Sequence, residues 1–292
     1  MTIGEARHWG QKKLTSKKIT SAALDSEVLL SFTLKRPKEF LFTYPEKILT
    51  SGQQKKYFNL VKRRGRSEPV AYLIGRKEFF GLNFFVDKRV LIPRPETELL
   101  VETAVNFLQP KKSATPVIAE VGTGSGCIII SLLKSLPPTA QKNIIAHATD
   151  ISSSALQIAK KNAREHGVKI NFNLGHLLKP LAAKKINLLI ANLPYGWRDW
   201  KSKTTSNNGL KFEPPVALFT KEGGLYLYRQ FFIQLARQKY QPDLILCEFD
   251  WRQKNQLLKL VKKYLSSYQA KIKKDLAGLN RILILKNNLT GR

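Results

Sequence analysis

The chain is poor in the residues that build covalently or metal-held scaffolds. It contains only two cysteines among 292 residues. Cys127 and Cys247 alone are too few for a disulfide framework or a zinc site. Both lie in apolar runs, where a small buried thiol is the ordinary role. We therefore expect no metal site, and we expect a reducing, cytoplasmic location.

Long apolar runs are also missing. No stretch approaches the ~20 apolar residues that a membrane-spanning helix needs. Residues 1–13 carry charge without an apolar core, so we expect no signal peptide. Hydrophobic residues nevertheless make up 43% of the chain and aromatic residues 10%. That composition excludes disorder of the whole chain, and the length favours one large domain with a smaller one.

Acidic residues are outnumbered by basic ones. The chain has 50 Lys and Arg against 21 Asp and Glu, which gives a formal net charge of +29. Such a field attracts nucleic acid, ribosomes or acidic proteins and speeds the encounter with them. The basic residues are spread along the chain, so a generally basic, solvated surface is the alternative. Oligomeric state is left open, with a monomer as the default expectation.

Residues 1–75 indicate a helical domain. Apolar residues recur at helical spacing within 21–34 and again within 53–64. This segment contains no nucleophile, ligand cluster or glycine-rich loop, so we interpret it as a substrate-recognition or docking domain. Residues 76–93 contain a run, 79–86, that is typical of two short strands around a turn. We interpret it as a hinge between two domains.

The remaining residues, 94–292, alternate between strands and helices. A helix is predicted to begin at 94–98, where proline and acids suit the first turn. From about residue 114 the alternation is regular. It predicts an open, mostly parallel α/β sheet with helices on both faces. The predicted strands are 117–121, 143–149, 169–173, 186–191, 243–249 and 281–285, and the predicted helices among them are 128–136 and 153–166.

A glycine-rich loop follows the first of these strands. Its Gly-x-Gly-x-Gly spacing differs from the dinucleotide fingerprint, and it lacks the Lys-Ser/Thr of a P-loop. Glycines let a ligand lie close against the backbone. A carboxylate before the loop suits an ammonium-bearing ligand such as S-adenosylmethionine, although a mere tight turn is the alternative. The candidate cofactor-binding residues are Glu120, Gly122, Thr123, Gly124, Ser125 and Gly126.

Asp150 ends the second predicted strand of this alternation. An acid at that place accepts hydrogen bonds from ribose hydroxyls in nucleoside-binding α/β folds. The alternative is a helix cap, because a predicted helix follows. Both roles are compatible if Asp150 contacts ribose and Ser152 or Ser153 caps the helix.

The tetrapeptide Asn192-Leu193-Pro194-Tyr195 follows the predicted strand 186–191, where open α/β sheets bind ligands. An amide or exocyclic amine is a poor nucleophile because its lone pair is delocalised. The Asn192 side-chain oxygen and the carbonyl of Leu193 can accept hydrogen bonds from the two N–H groups of such a substrate nitrogen. Pro194 keeps the preceding residue extended, and the Tyr195 ring offers a face for a planar group. In isolation this would be an ordinary turn; after the glycine loop and Asp150, a catalytic role is favoured, with the rate coming mainly from positioning.

The chain resembles the release factor glutamine methyltransferases over nearly its whole length. The matching segments are Glu68–Gly75, Glu78–Gly81, Leu91–Glu98, Glu120–Gly126, Thr149–Ser152, Asn192–Tyr195, Leu210–Leu218, Gly223–Leu225 with Tyr228 and Arg229, and Asp275–Arg281. The resemblance implies a small N-terminal helical domain, a β-hairpin linker and a Rossmann-like class I methyltransferase domain with a mostly parallel seven-stranded sheet. It also implies that S-adenosylmethionine is used to methylate the glutamine amide of the Gly-Gly-Gln motif in class 1 peptide chain release factors. By position, 122–126 and Asp150 would hold the cofactor, and Asn192–Tyr195 the glutamine. Asn192 is also a candidate cofactor-binding residue.

The sequence departs from the family pattern at three places. The family usually has Asn-Pro-Pro-Tyr, whereas this chain has Leu193; the carbonyl and the following proline are retained, so we expect activity to survive. An acid usually follows the glycine near the adenine, whereas His176 stands here, and Leu177 occupies an adenine-side position. We interpret His176 as structural or solvent-facing rather than as a base. Glu120 in place of the more common Asp is a mild change.

Further residues match the family or flank the tetrapeptide. We interpret Glu213 and Arg229 as supporting ion-pair or cap residues. Trp197 and Trp200, with Arg198 and Lys201, could flank a substrate entrance, stack on a base or simply pack the loop.

Two other functions are compatible with these residues. An amino-methyltransferase acting on adenine or cytosine in nucleic acid would use the same tetrapeptide, and the positive charge favours it. A base in duplex DNA must be flipped out, which normally needs a dedicated recognition domain, and no insertion of that size is present. A non-catalytic ribosome- or RNA-binding homologue is the third hypothesis, supported by His176 and Leu193 alone.

Overall fold

The computed structural model describes residues 1–108, 115–197, 200 and 207–288. They form two compact units. One comprises Met1–Arg76 with the short segment 207–212, and the other comprises the described residues from 77 to 200 and from 213 onward. Within the described part of the chain, no helix is both long and apolar enough to cross a membrane.

Fourteen α-helices are present among the described residues. They are α1 (Ile3–Thr15), α2 (Ala22–Leu34), α3 (Glu39–Thr43), α4 (Ser51–Arg64), α5 (Val70–Ile74), α6 (Glu98–Leu108), α7 (Cys127–Lys134), α8 (Pro138–Lys142), α9 (Ser153–Glu165), α10 (Asn207–Leu210), α11 (Pro215–Leu218), α12 (Lys221–Gly224), α13 (Tyr226–Ala236) and α14 (Lys254–Tyr264). Short 3₁₀ turns lie at Pro95–Thr97, Lys179–Leu181 and Trp251–Gln253.

Nine strands accompany them in the described residues. They are β1 (Arg76–Phe79), β2 (Leu82–Phe85), β3 (Val117–Val121), β4 (Ile145–Asp150), β5 (Asn171–Leu174), β6 (Leu188–Ala191), β7 (Leu244–Glu248), β8 (Tyr268–Lys274) and β9 (Asn280–Asn287).

Helices α1, α2 and α4 build the core of the first unit. The Thr50 side chain and Gln53 form a reciprocal capping box that starts α4. Gly10 lies where a Cβ would come within 1.9 Å of the Tyr57 hydroxyl, so a side chain there would separate α1 from α4. The Arg64 guanidinium donates to Asp25 at 2.7 Å in a half-buried ion pair. The helices predicted at 21–34 and 53–64 correspond to α2 and α4.

The second unit contains a seven-stranded sheet in the order β5-β4-β3-β6-β7-β9-β8. Strands β3 to β7 are parallel to one another, and β9 is antiparallel to both β7 and β8. One apolar cluster contains residues of α13 and α14 and another contains residues of α6 and α7, so helices cover both faces. The predicted α/β class, with a mostly parallel sheet, is confirmed. Strands β1 and β2 form a separate two-stranded hairpin. Two short strands were predicted within 79–86, but β1 begins earlier, at Arg76.

The strand β8 is absent from the sequence-based prediction. Its residues are Tyr-Gln-Ala-Lys-Ile-Lys-Lys, and most of them are exposed or half-buried. An edge strand is protected by charged side chains such as lysine, and those same lysines remove the apolar signal by which the buried strands were found. The parallel strands β3, β6 and β7 bring their carboxyl ends to one edge of the sheet, where the loops of the candidate site begin.

Candidate active site

Two cavities lie side by side beyond the carboxyl ends of the parallel strands. The first, the glycine-loop cavity, is lined in part by Gly122 and Gly124. The second, the tryptophan cavity, is lined in part by Trp200 and Trp251. The two cavities share Leu91, Asn192, Leu193, Pro194 and Ala217. The first three residues of the tetrapeptide therefore form a wall common to both.

The glycine loop is fixed by backbone contacts. The amides of Gly122 and Thr123 donate to the carbonyl of Thr149 at 2.9 and 3.0 Å. Gly122 has a φ of +73°, and a Cβ on it would come within 3.3 Å of the Leu193 side chain. Glycine thus permits both the left-handed backbone and the close approach of the loop to the tetrapeptide.

The residues predicted to bind the cofactor separate into two groups in the structure. Those that line the glycine-loop cavity are Gly122, Gly124, Asp150, Leu177 and Asn192. Glu120, Thr123, Ser125 and Gly126 belong to the loop region but are not among the lining residues. Cofactor contact by this second group stays a prediction.

Glu120 lies beneath the loop. Its carboxylate accepts a hydrogen bond from the Thr123 hydroxyl at 2.6 Å, and the residue is 1% exposed. Burial raises the pKa of Glu120 to about 8, against the opposing effect of the Thr123 hydrogen bond. Burial therefore favours the protonated form of Glu120, and its side-chain hydrogen bond is with the loop itself.

Asp150 connects the glycine loop to the start of α9. One carboxylate oxygen accepts from the Gly124 amide and the other from the Ser152 amide, each at 2.9 Å. Burial raises its pKa. The Ser152 hydroxyl accepts from the Ala155 amide at 3.2 Å, so Ser152 is the helix cap. The Asp150 carboxylate has about four lone-pair sites, so it retains capacity to accept from a ligand hydroxyl.

The charge of the glycine-loop cavity suits a cationic ligand. Among its described lining residues, Arg89 alone carries a full positive charge. That guanidinium is paired with Asp87 at 2.6 Å, and Asp150 contributes a carboxylate. In a chain with a net charge of +29, a wall with no unpaired Lys or Arg is a local exception. These residues fit a ligand that carries ammonium and sulfonium groups.

His176 and Leu177 form the far wall of the same cavity. The Gln234 side chain accepts from the Leu178 amide at 3.0 Å, and its amide nitrogen lies 3.4 Å from His176 Nδ1. The Leu177 carbonyl accepts from the Thr149 hydroxyl at 3.1 Å. His176 is thus held by its neighbours, consistent with the structural role predicted for it.

The Asn192 side chain is oriented by two neighbours. Its Nδ2 donates to Glu248 Oε2 at 3.1 Å and to Thr97 Oγ1 at 3.3 Å. No described residue donates to its Oδ1. The acceptor oxygen, which the predicted chemistry requires, is therefore free to meet a ligand.

Glu248 also holds the last residue of the tetrapeptide. The Tyr195 hydroxyl donates to Glu248 Oε1 at 2.9 Å. Burial raises the pKa of Glu248, and the nearby Arg281 guanidinium opposes that shift. Burial likewise raises the pKa of the Tyr195 hydroxyl, and the charge of Glu248 adds to the effect. Tyr195 is therefore a fixed neutral phenol rather than a base.

The backbone of the tetrapeptide is braced as well. The Leu193 amide donates to the Tyr228 hydroxyl at 3.4 Å, and that hydroxyl donates to the Glu248 carbonyl. Gln253 Nε2 donates to the Tyr195 carbonyl at 2.9 Å. These contacts come from α13 and from the turn after β7, which pins the loop to the body of the sheet.

Arg94, which lines the tryptophan cavity, is held by an ion pair with Glu213. The Arg94 guanidinium donates to Glu213 at 2.6 Å, and the Glu213 side chain is fully buried. The other Glu213 oxygen accepts from the Ile92 amide at 3.0 Å. Glu213 therefore holds the segment that contains Ile92 and Arg94, which lie 121 and 119 positions earlier in the chain. The predicted supporting role of Glu213 matches this arrangement, and Arg229 pairs with Glu222 at 2.5 Å.

The tryptophans that follow the tetrapeptide have separate partners. Trp200 Nε1 donates to Asp250 at 2.9 Å, and Trp200 lines its cavity. The Arg252 guanidinium lies 4.6 Å from the centre of the Trp197 ring. Arg198 and Lys201, which were also predicted near the entrance, lie outside the described residues.

Sequence reasoning missed the residues that hold the tetrapeptide. Thr97, Tyr228, Glu248 and Gln253 are 35 to 95 positions away in the chain from the residues they contact. One signal could have found Glu248: it is an acid at the carboxyl end of an apolar strand, like Asp150.

Two family models match separate parts of the chain. The PrmC N-terminal domain matches residues 5–75, and the methyltransferase small domain matches residues 95–226. Curated relatives match nearly end to end. The release factor glutamine methyltransferase of Koribacter versatilis is 32% identical, over 97% of this chain and 98% of that protein. The one from Coxiella burnetii is 35% identical, over 98% of this chain and 99% of the relative.

Solved structures support the fold. The hMettl16 catalytic domain, crystallised with a MAT2A 3′UTR hairpin, aligns with a TM-score of 0.56 and 12% identity. The alignment covers 88% of this chain and 90% of that one. At this identity the likeness concerns the fold alone.

Proposed function

Because the chain belongs to the release factor glutamine methyltransferase family, we propose that its two cavities hold the two reactants on either side of the tetrapeptide. The protein methylates the side-chain amide nitrogen of the glutamine in the Gly-Gly-Gln motif of class 1 peptide chain release factors. Its methyl donor is S-adenosylmethionine. The observation that carries the division of roles is the wall that Asn192, Leu193 and Pro194 form between the two cavities.

We infer that the glycine-loop cavity holds the cofactor. S-adenosylmethionine supplies an electrophilic methyl group when bound. Gly122 and Gly124 would lie against it, Asp150 would accept its ribose hydroxyls, and Leu177 would contact its adenine side. Glu120 would support the loop from beneath through Thr123. Contact of Glu120, Thr123, Ser125 and Gly126 with the cofactor is part of the same proposal.

The tryptophan cavity would hold the substrate glutamine. Asn192 Oδ1 and the Leu193 carbonyl would accept hydrogen bonds from the two N–H groups of the glutamine amide. These contacts favour a pyramidal nitrogen with an available lone pair. Pro194 keeps the carbonyl of residue 193 aimed, and the Tyr195 ring would contact the planar amide. Neither Asn192 nor the neutral Tyr195 is suited to act as a base. The rate enhancement would therefore come mainly from positioning the reactants, and the amide proton would leave after methyl transfer.

The other parts of the chain receive supporting roles in this proposal. Residues 1–75 would recognise the release factor, residues 76–93 would link the domains, and residues 94–292 would form the catalytic domain. The enzyme would work as a cytoplasmic monomer. Its charge of +29 would favour proximity to the ribosome or RNA.

Mass spectrometry of a release factor after incubation with the protein and S-adenosylmethionine tests the proposed function. One added methyl on the glutamine of Gly-Gly-Gln, absent in a substrate whose glutamine is alanine, is the expected result. A parallel reaction contains RNA and DNA. Methylated adenine or cytosine in that reaction, with an unmodified release factor, would reject the proposal.

A further inference from the structure

The Asn192 side-chain amide has an oxygen end and a nitrogen end, which are nearly equal in size and opposite in hydrogen-bonding character. Its oxygen accepts and its nitrogen donates. Only one orientation can meet the N–H bonds of a substrate amide. In the structure Nδ2 is turned to Glu248 at 3.1 Å and to Thr97 at 3.3 Å. Its two hydrogens therefore have two acceptors, which turns Oδ1 the other way.

The opposite edge of the same two strands contains a matching pair. Asn187, just before β6, donates from Nδ2 to Asp243, just before β7, at 3.1 Å. There the oxygen is used: Asn187 Oδ1 accepts from the Val117 amide at 3.0 Å. At the site edge the arrangement is repeated with Asn192 and Glu248, but no described residue donates to Oδ1. The comparison separates a purely structural pair from one that leaves an acceptor for a ligand.

Glu248 is suited to hold this orientation. It is 1% exposed, and its second oxygen accepts from the Tyr195 hydroxyl at 2.9 Å. One carboxylate thus holds both ends of the tetrapeptide. A buried carboxylate that accepts two hydrogen bonds cannot easily change partners, because each lost hydrogen bond would leave a buried polar group unsatisfied.

We propose that Glu248 is a positioning residue for methyl transfer, whose carboxylate fixes the Asn192 amide so that Oδ1, and not Nδ2, faces the substrate nitrogen. The inference rests on the proposed function. A reversed amide would set N–H against N–H, which weakens the binding of the amide in the reactive geometry. Its effect would fall on kcat, because the release factor and the cofactor are held mainly by other residues.

Three variants test the role of Glu248. Glu248→Met removes both acceptors at similar size. Glu248→Gln keeps one oxygen for Asn192, and its nitrogen can donate to the Tyr195 hydroxyl. Asp243→Leu removes the equivalent carboxylate at the far edge and is the matched control.

We expect Glu248→Met to lower kcat about 100-fold, with KM for the release factor and the calorimetric Kd for S-adenosylhomocysteine each changed less than about threefold. Glu248→Gln should stay within about tenfold of the wild-type kcat, and Asp243→Leu should match the wild type. Wild-type kcat in Glu248→Met overturns the proposal. So does a Gln variant as inactive as the Met variant, since that result would assign the effect to charge.

A second readout keeps this test separate from that of the proposed function. The side-chain amide protons of Asn192, followed by ¹⁵N NMR, should exchange slowly with solvent in the wild type and in Asp243→Leu, and faster in Glu248→Met. A wild-type protein that leaves the release factor unmethylated rejects the proposed function, whereas equal exchange in all three proteins rejects the orienting role of Glu248.

Discussion

The carbonyl oxygen of Tyr195 lies so close to Gly224 that a Cβ on residue 224 would come within 1.9 Å of it. The same carbonyl accepts a hydrogen bond from Gln253. The backbone after the tetrapeptide is therefore fixed between a glycine and an amide. The last three residues of α12, Glu222, Gly223 and Gly224, all have positive φ values, so this short segment departs from regular helix.

Gly224→Ala should damage the site, whereas Gly223→Ala should cost only backbone strain. Both glycines have left-handed φ values, +85° and +61°, but a Cβ at 223 meets nothing within 4 Å. We expect Gly223→Ala to lose about 1–2 kcal/mol of stability and to keep its kcat. Gly224→Ala should lose more stability and at least about tenfold in kcat. Thermal unfolding and steady-state kinetics check both, and equal behaviour of the two variants would contradict the steric argument.

Asn192→Ala should nearly abolish methyl transfer while leaving cofactor binding largely intact. The change removes the free Oδ1, and losing one such electrostatic contact typically costs 10²–10³ in kcat. Turnover on a release factor and calorimetry with S-adenosylhomocysteine measure the two effects separately. Parallel loss of turnover and affinity would assign Asn192 to the cofactor, since it lines that cavity too.

Asp150→Ala should weaken cofactor binding. The variant removes the carboxylate proposed for ribose and also frees the Gly124 amide that it holds at 2.9 Å. We expect an increase of about tenfold or more in the calorimetric Kd, because a charge-assisted hydrogen bond contributes about 1.5–3 kcal/mol. Ser152→Ala, which removes the capping hydroxyl of a neighbouring residue of the same cavity and keeps the Asp150 carboxylate, is the control. If both variants bind the cofactor like the wild type, Asp150 serves the fold alone.

Glu120→Gln should become increasingly favourable as the pH rises. Burial raises the pKa of Glu120 from its ordinary 4.5 to about 8. Between these values the folded protein keeps a proton that the unfolded chain has lost, so wild-type stability falls with rising pH by up to about 1.4 kcal/mol per pH unit from this group. Glutamine carries no such penalty.

Urea unfolding of both proteins at pH 5, 6.5 and 8 checks this sign. Asp150 and Glu248 also have raised pKa values, but they are present in both proteins and their effects largely cancel in the difference. A stability difference that stays constant across this range would mean that Glu120 is ionised in the folded state.

Much of the fold could be predicted because the buried strands are continuous apolar runs in the sequence. Val117–Val121 is an uninterrupted run with one acid, and its predicted bounds agree with β3. The predicted strand 169–173 begins two residues before β5 (Asn171–Leu174), because Lys169 and Ile170 continue the alternation without pairing. Strand β8 was missed because it is stabilised by pairing with β9. The residues of β8 themselves have no continuous apolar pattern from which that pairing could be predicted.

The candidate site divides along the same physical boundary. The glycine loop, Asp150 and the tetrapeptide are local motifs at strand ends, so parallel pairing of β3, β4 and β6 was enough to predict that they meet. Their supports are not local. Glu248 reaches Asn192 across 56 positions and Thr97 reaches it across 95, and such contacts arise only once the sheet order is known.

The wall between the two cavities has a thermodynamic consequence. Leu193 touches the glycine loop on one side and lines the tryptophan cavity on the other. If the cofactor and the substrate occupy these two cavities as proposed, we expect each to change the affinity of the other through the shared wall, by the same factor in both directions. Reactant and product forms of the cofactor differ by one methyl and one charge. The affinity for an unmodified glutamine, and for a methylated one, should therefore depend on which cofactor form is already in place.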